Sequence, residues 1–162
     1  MVAVDVGYGQ LVWRLQSDPR VLVLDRTNVR ELQLTDLPAE LAGELPDLVV
    51  ADLSFISLGL VLSALRRCTD PGADFVLMVK PQFEVGRERL GAGGVVRDPA
   101  LRAEAVRTIA ERARLLGLGV RGVTASPLPG PSGNVEYFLW LRAGEPALDP
   151  ADLQRAIEEG PQ

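Results

Sequence analysis

Lys80 is the only lysine in a chain whose lysine and arginine residues number 17 in all. It ends an apolar run, residues 75–79, and is followed by Pro81 and a short polar segment. A charge placed there costs free energy unless a nearby group pairs with it. Because lysine changes its protonation state on burial more readily than arginine, Lys80 is a candidate for proton chemistry. The alternative is a surface lysine in an arginine-biased composition.

Asp52 ends the apolar run that precedes the run leading to Lys80, and both runs have the composition of buried strands. Neighbouring parallel strands lie about 4.8 Å apart, so the two side chains could meet. An ion pair favours the charged amine, whereas desolvation or another cation favours the neutral amine. A lysine balanced between these effects can deprotonate or orient a substrate hydroxyl. The alternative is a structural Asp–Lys pair.

Glu136 is a third candidate, because a stiff Pro/Gly turn at residues 130–134 delivers it into an apolar strand. By strand alternation it shares a face with Phe138 and Trp140. A carboxylate on such a face needs a partner. The alternative is a glutamate at a strand edge, solvated by water.

Composition narrows the classes of protein that the chain can belong to. A length of 162 residues suits one domain, and a net charge of -5 argues against a self-sufficient nucleic-acid binder. It does not exclude a catalytic domain that relies on another module to hold RNA. The chain has one cysteine, Cys68, and no histidine, so we expect neither a disulfide framework nor a metal site. No apolar run approaches about 18 residues, and no signal peptide is visible, so we expect a cytoplasmic protein without membrane contact.

Strands and helices alternate along the chain, which predicts an α/β fold with a sheet buried on both faces. The predicted strands are residues 2–6, 21–24, 48–51, 75–79, 120–124 and 135–141. The predicted helices are residues 8–16 and 58–67, a helix that starts at Asp98 and Pro99 and stops at Gly117 or Gly119, and residues 149–159.

Polar residues lie at the ends of several predicted strands. In open α/β sheets, ligands bind beyond the carboxyl ends of the strands. The residues at or just past these ends are Asp5, Asp25, Asp52 and Lys80. Their shared placement predicts a site along this edge of the sheet, although a sheet with polar strand ends and no site is the alternative.

Six segments together resemble the hemolysin A/TlyA-type rRNA methyltransferases, which belong to the wider FtsJ-like 2′-O-methyltransferase group. The segments are VDVGYGQL at 4–11, DRTNVR at 25–30, DLSFIS at 52–57, VKPQFE at 79–84, GGVVRDP at 93–99 and GNVE at 133–136. The resemblance covers residues 2–142. It implies a Rossmann-like S-adenosylmethionine-dependent methyltransferase sheet and 2′-O-methylation of cytidine ribose in ribosomal RNA.

The resemblance also implies roles for the residues singled out above. Asp52, Lys80 and Glu136 match the second, third and fourth members of the group's Lys–Asp–Lys–Glu catalytic set. Lys80 would activate the 2′-hydroxyl, Asp52 would orient that lysine, and Glu136 would support the arrangement. S-adenosylmethionine would be the cofactor, with Asp5 holding its ribose, Asn28 reading its adenine edge, and Asp52 lying beside it.

Several parts of the family pattern should precede Met1: its first strand, its Gly-rich cofactor loop, its first catalytic lysine and an S4-like RNA-binding module. In the family sheet, the first strand lies between the strands that end at Asp5 and Asp52, so its absence leaves two unpaired edges. We expect residues 1–145 to form a partial FtsJ-like domain and residues 146–162 a peripheral tail with a helix.

The leading interpretation is therefore the carboxyl-terminal part of an rRNA 2′-O-methyltransferase, weak or inactive in this truncated form, whose partners are ribosomal RNA and ribosomal subunits. The alternative is a non-catalytic remnant or binding module with the methyltransferase fold. A pore-forming hemolysin is disfavoured because no spanning segment or basic amphipathic helix is visible. A nicotinamide-binding protein is disfavoured because no G-x-G-x-x-G segment opens a helix.

The glycine-rich segment 86–97 predicts a mobile loop beside the site. Its arginines, Arg87, Arg89 and Arg97, are the nearest in sequence to Lys80 and could contact the phosphates of a docked RNA. Solvation of a surface loop is the alternative role for them.

Overall fold

The computed structural model of the protein describes residues 1–41 and 43–161, and these residues alternate between strands and helices. The strands are β1 (Val2–Val4), β2 (Leu22–Leu24), β3 (Leu48–Ala51), β4 (Asp74–Val79), β5 (Leu118–Ala125) and β6 (Tyr137–Ala143). The helices are α1 (Trp13–Gln16), α2 (Leu62–Arg67), α3 (Pro81–Glu84), α4 (Pro99–Leu115) and α5 (Pro150–Glu159). Short 3-10 turns lie at Leu34–Asp36, Ala39–Leu41, Leu58–Leu60, Arg87–Arg89, Ala92–Gly94 and Pro131–Gly133. The predicted α/β class is confirmed.

The strands form two separate sheets. In the first, β1 pairs in parallel with β2. In the second, the order is β3-β4-β6-β5, with β3 parallel to β4 and with β6 antiparallel to both of its neighbours. Within the described residues no hydrogen-bonded ladder joins β1 to β3. The break falls where the family resemblance puts an additional strand.

One face of the larger sheet is covered and the other is open. On the covered face, Leu77 and Leu139 are fully buried in a core shared with α2, α4 and α5. On the open face, Val50 pairs with Val76, and Val76 pairs with Trp140, so these side chains form a row across three strands. Val50 is 72% exposed and Trp140 is 46% exposed. The prediction of burial on both faces is wrong for this sheet, because no described element packs over that row.

Helix α4 follows its predicted boundaries closely. The Asp98 side chain accepts a 2.8 Å hydrogen bond from the backbone N–H of Ala100, and Pro99 occupies the first helical position. The helix gives way to Gly117, whose φ of +76° suits glycine. Its buried side, which includes Ile109 and Ala113, covers the sheet next to β5 and β6.

Helix α5 is less peripheral than predicted. It begins at Pro150 with Asp149 as its cap, as expected. Leu153, Ala156 and Ile157 are buried in the same core as the sheet, and the helix packs on β5. The spacing of these apolar residues at three and four places along the helix explains the burial. The helix is therefore a part of the core, while the division of the chain at residue 145 stays a prediction.

The first predicted helix is much shorter than expected. Residues 8–12 are not helical, and only Trp13–Gln16 form α1. The N–H of Gly9 is bonded to Asp25 Oδ2 at 3.0 Å, and the N–H of Gly7 is bonded to Asp5 Oδ1 at 2.7 Å. These side-chain bonds hold the segment as a turn, since they compete with helical backbone pairing.

Candidate active site

The Lys80 side chain lies at the centre of a charged cluster at the end of β4. Its Nζ lies 2.6 Å from Asp52 Oδ1 and 3.7 Å from Glu136 Oε1. It also donates a long hydrogen bond of 3.4 Å to Ser54 Oγ. Pro81 at the first position of α3 stops β4 at this point, so the lysine side chain leaves the strand beside Asp52. The structure thus brings together the three residues predicted as catalytic.

The two carboxylates differ in their surroundings. The Asp52 side chain is 65% exposed, whereas the side chains of Lys80 and Glu136 are almost fully buried. Asp52 comes directly after β3, at the edge of the sheet that no described strand covers. The side of the amine on which Asp52 lies is therefore open to a ligand.

Glu136 lies one residue before β6 and is held by neighbours other than Lys80. Gln82 Nε2 donates a 3.0 Å hydrogen bond to Glu136 Oε1. A Cβ atom added to Gly130 would overlap the Glu136 carboxylate, so a side chain at this position would force the carboxylate to shift. Neither Gln82 nor Gly130 was singled out from the sequence. Gln82 stands two residues after Lys80, which was the available signal.

Glu84 links the segment after β3 to the segment after β4. Its Oε2 accepts a 2.5 Å hydrogen bond from Ser57 Oγ, and its Oε1 accepts a 2.8 Å bond from the Leu58 N–H. Burial raises the pKa of the Glu84 carboxyl above its usual 4.5, while the bonds from Ser57 and Leu58 and the charge of Arg112 act to lower it. Through this link, the loop carrying Asp52 is fixed relative to α3.

Phe55 presents an aromatic ring beside the cluster. It is 92% exposed, and its backbone has a φ of +63°, which is unusual for a residue with a large side chain. The ring centroid lies 5.4 Å from that of Phe83, with the two rings tilted at 48°. Backbone strain that persists at an exposed residue points to a functional role. A ring in this position can stack on a planar ligand.

The predicted cofactor residues lie at the ends of β1 and β2. Asp5 follows β1 and is exposed, and its backbone oxygen accepts a 2.9 Å bond from the Thr27 N–H. This bond holds the turn that carries Asn28 beside Asp5. Asn28 is also exposed, with its Oδ1 accepting from the Arg30 N–H at 3.1 Å. The structure therefore brings the segments of Asp5 and Asn28 together at one end of the smaller sheet, and the binding of a cofactor by these two side chains stays a prediction.

The loop at residues 86–97 is tied to its surroundings at several points. Arg89 Nη1 lies 2.6 Å from Glu104 Oε1 on α4, so this arginine is already paired. The Val96 N–H donates to Asn134 Oδ1 at 3.0 Å, which joins the loop to the turn before Glu136. Arg87 and Arg97 are exposed. The loop does lie next to the segment of Glu136; its mobility stays a prediction.

The described residues contain neither a candidate metal site nor a candidate membrane-spanning helix. Among them, no group of three or more histidine, cysteine, aspartate and glutamate side chains could hold a metal ion. In the same part of the chain, no helix is both long enough and apolar enough to cross a membrane.

Solved structures share the fold. A structure described as a hemolysin from Streptococcus thermophilus is 35% identical, superposes with a TM-score of 0.89, and covers 98% of this chain and 56% of its own. A S-adenosylmethionine-dependent methyltransferase from Methanosarcina mazei is 11% identical, has a TM-score of 0.55, and covers 90% of this chain and 82% of its own. The second likeness concerns the fold alone, and it confirms the predicted Rossmann-like fold.

A curated relative is also similar in sequence. The 16S/23S rRNA (cytidine-2′-O)-methyltransferase TlyA of Mycobacterium tuberculosis is 58% identical over 166 residues, which are 99% of this chain and 60% of the relative. The chain thus spans well under the full length of that relative.

The sequence profile of the FtsJ-like methyltransferases matches residues 1–143, which is most of the chain. The match includes all three members of the Lys80 cluster and the turn that carries Asn28. The chain belongs to the FtsJ-like methyltransferase family.

Proposed function

We propose that the chain is the carboxyl-terminal, catalytic part of an enzyme that methylates the 2′-hydroxyl of cytidine in ribosomal RNA. The cofactor is the S-adenosylmethionine of the family. One observation carries the proposal: the Lys80 amine lies between Asp52 and Glu136 at the carboxyl end of the sheet, with one side open. The 58% identity to a cytidine-2′-O-methyltransferase supports the choice of substrate.

The charged cluster fits the chemistry of this transfer. When bound, S-adenosylmethionine supplies a methyl group on a positively charged sulfur, which keeps the electron pair of the carbon–sulfur bond as that bond breaks. Once it has released its own extra proton to solvent, the neutral amine of Lys80 binds the ribose 2′-hydroxyl and accepts its proton on the nitrogen lone pair as the oxygen attacks the methyl carbon. Asp52 and Glu136 fix the amine so that this hydroxyl meets it in one orientation.

The residues around the cluster suit a nucleotide. Phe55, which follows Ser54 in the chain, offers an exposed ring on which the cytosine base can stack. Asp5 and Asn28 hold the nucleoside end of the cofactor at the ends of β1 and β2. The exposed arginines of the 86–97 loop, Arg87 and Arg97, contact RNA phosphates.

We also propose that the 162-residue chain has little activity by itself, and the open sheet supports this part of the proposal. Val50 and Leu48 are exposed on the edge strand β3, and no described strand pairs with either β1 or β3 on the facing side. We propose that more polypeptide, of the kind that the longer relative contains, occupies this space and completes the cofactor site. Ribosomal subunits in the cytoplasm are then the partners of the completed enzyme.

The second candidate function is a non-catalytic module with the methyltransferase fold. The open apolar face favours it, since an unfilled sheet leaves the cofactor site incomplete. The two proposals differ in what they require of Lys80, because a binding module needs no proton acceptor.

A chimera separates the two candidates. In it, this chain replaces the matched region of the M. tuberculosis relative, and methyl transfer from radiolabelled S-adenosylmethionine to unmodified ribosomal subunits is measured. We expect the chimera to methylate cytidine ribose and the 162-residue chain alone to be weak or inactive. A folded chimera that leaves the subunits unmethylated would overturn the enzymatic proposal and favour the binding module.

A further inference from the structure

Gln82 lies two residues after Lys80 on α3 and contacts the same carboxylate oxygen. Its Nε2 donates a 3.0 Å hydrogen bond to Glu136 Oε1, the atom that lies 3.7 Å from Lys80 Nζ. A separation of 3.7 Å is beyond hydrogen-bonding range for a nitrogen and an oxygen. The bond from Gln82 is therefore the shorter of the two contacts that this oxygen makes, and the only one of them at hydrogen-bonding distance.

The orientation of the Gln82 amide follows from the same contact. If the amide were flipped, Gln82 Oε1 would face Glu136 Oε1, and two acceptors would oppose each other. With the nitrogen towards Glu136, Gln82 Oε1 is buried and has no hydrogen-bond partner in the part of the chain that the structure describes. An unpartnered buried acceptor costs free energy. Gln82 thus contacts Glu136 through its amide nitrogen, while its oxygen lacks a partner among the described residues.

Gly130 limits the same carboxylate from a different side. A Cβ atom at this position would overlap Glu136 Oε1 and Cδ. The Gly130 N–H donates to the Asn134 carbonyl at 2.8 Å, which fixes the turn against the carboxylate. The Glu136 carboxylate is therefore in contact with both an amide donor and a backbone turn.

We propose that Gln82 is a positioning residue that acts on Lys80 through Glu136. Its hydrogen bond keeps Glu136 Oε1 near the amine without letting the carboxylate bond to it directly. The lysine therefore forms its short ion pair with Asp52, and a ribose hydroxyl can replace its long hydrogen bond to Ser54. The catalytic consequence rests on the proposed methyl transfer, whereas the structural consequence for Lys80 does not.

The single lysine makes the structural consequence measurable in the 162-residue chain itself. Labelling with ¹³C- and ¹⁵N-lysine gives one set of Cε and Nζ resonances, all from Lys80. We expect Gln82→Leu to move these resonances, because Glu136 is released. In a Glu136→Gln background the same change should have little further effect, since residues that act as a unit are not additive.

Gln154→Leu is the matched control. It also removes a glutamine-to-glutamate hydrogen bond, the 2.7 Å contact with Glu158 on the exposed side of α5, and should leave the Lys80 resonances in place. If Gln82→Leu does not fold by circular dichroism, Gln82→Asn takes its place, since it keeps the amide but is too short to reach Glu136. Unmoved resonances, an equal movement in both backgrounds, or failure of both variants to fold would each overturn the proposal.

The catalytic consequence is tested in the chimera. Gln82→Asn should lower kcat roughly 10- to 100-fold with little change in KM for ribosomal subunits, and should alter the pH profile of kcat. Gln154→Leu should change neither. An unchanged kcat and pH profile would overturn the catalytic role of Gln82. A wild-type chimera without activity would count against the proposed function, while the lysine resonances would still decide the role of Gln82.

Discussion

The Nζ atom of Lys80 lies 2.6 Å from Asp52 Oδ1, although the two side chains differ sharply in exposure. The lysine side chain is 8% exposed and the aspartate side chain is 65% exposed. The exposed carboxylate keeps much of its hydration, whereas the buried amine needs a partner for its charge. The contact therefore both satisfies the amine and sets its direction.

Lys80→Arg in the chimera should abolish methyl transfer while sparing the fold. Arginine keeps the positive charge beside Asp52, but it cannot give up a proton at working pH. We expect a loss of about 100-fold or more in kcat, the contribution typical of a positioned acid or base. Methylation of ribosomal subunits measures the loss, and thermal unfolding by circular dichroism checks the fold.

The control for this variant is Arg114→Lys, the reverse exchange at an exposed position on α4. It should leave turnover unchanged. Near-normal turnover by the Lys80→Arg variant would remove Lys80 from proton chemistry and leave it an electrostatic role.

The strand ends could be predicted from sequence because apolar runs that stop at a polar residue are a local signal. Asp52 and Lys80 each follow such a run, and the roughly fixed spacing of parallel strands places them together. Glu84 and Gln82 could not be predicted in the same way, since their partners, Ser57 and Glu136, are distant in sequence. Contacts of this kind depend on how the loops fold back over the sheet.

The exposure of the open sheet face could not be predicted from the sequence either. An apolar strand indicates burial, yet Val50 and Leu48 are exposed. These apolar side chains suit a layer of protein packed over this face of the sheet, and the described residues do not include such a layer. Helix α1 is shorter than predicted for a different reason. The side chains of Asp5 and Asp25 accept hydrogen bonds from backbone N–H groups in the turn that comes before α1.

Replacing Phe55 should separate stability from substrate binding. Phe55→Gly relieves the positive φ, so it should be about 1 kcal/mol more stable than Phe55→Ala, which keeps the strain. Both variants of the chimera should bind RNA more weakly by about 1–3 kcal/mol, the usual contribution of one stacked base. Urea unfolding and filter binding measure the two effects. Leu115→Ala removes a similarly exposed apolar side chain from α4 and should leave RNA binding unaltered; equal binding by Phe55→Ala would exclude the stacking role.

Glu84 should make stability fall as pH rises. Because its pKa is raised in the folded state, the folded protein binds more protons than the unfolded chain between the usual value of 4.5 and the raised value. Stability from this group is therefore full below 4.5 and is lost as pH increases through the folded pKa. Glu84→Gln lacks this loss and can keep its acceptor for the Leu58 N–H.

The measurement for Glu84 is urea unfolding of both proteins near pH 4 and near pH 7. The free energy of unfolding of Glu84→Gln minus that of wild type should be larger near pH 7 than near pH 4. Glu111→Gln, at an exposed position on α4, reports the effect of removing a negative charge without a buried site. The same relative stability at both pH values would show that Glu84 is not responsible for the pH dependence.

The open edge of β3 should make the 162-residue chain associate with itself. Val50 is 72% exposed on a strand with one edge that no described strand pairs with, and such edges pair readily with other chains. Val50→Lys should reduce the association, since a charged edge disfavours pairing. Sedimentation velocity over a range of concentrations measures it, with Leu115→Lys as the control on the other side of the molecule. A wild-type chain that stays monomeric throughout would contradict the expectation.

The arginines of the 86–97 loop should contribute unequally to RNA binding. Arg89 is committed to Glu104 on α4 at 2.6 Å, whereas Arg87 is exposed beside it, so Arg87 is the better phosphate contact. Arg87→Ala in the chimera should weaken binding to ribosomal RNA and make the slope of log K against log salt less negative by about 1. Arg89→Ala should have a smaller effect on the slope, and cofactor binding should change in neither variant. An unaltered slope for Arg87→Ala would place the RNA phosphates on another part of the completed enzyme.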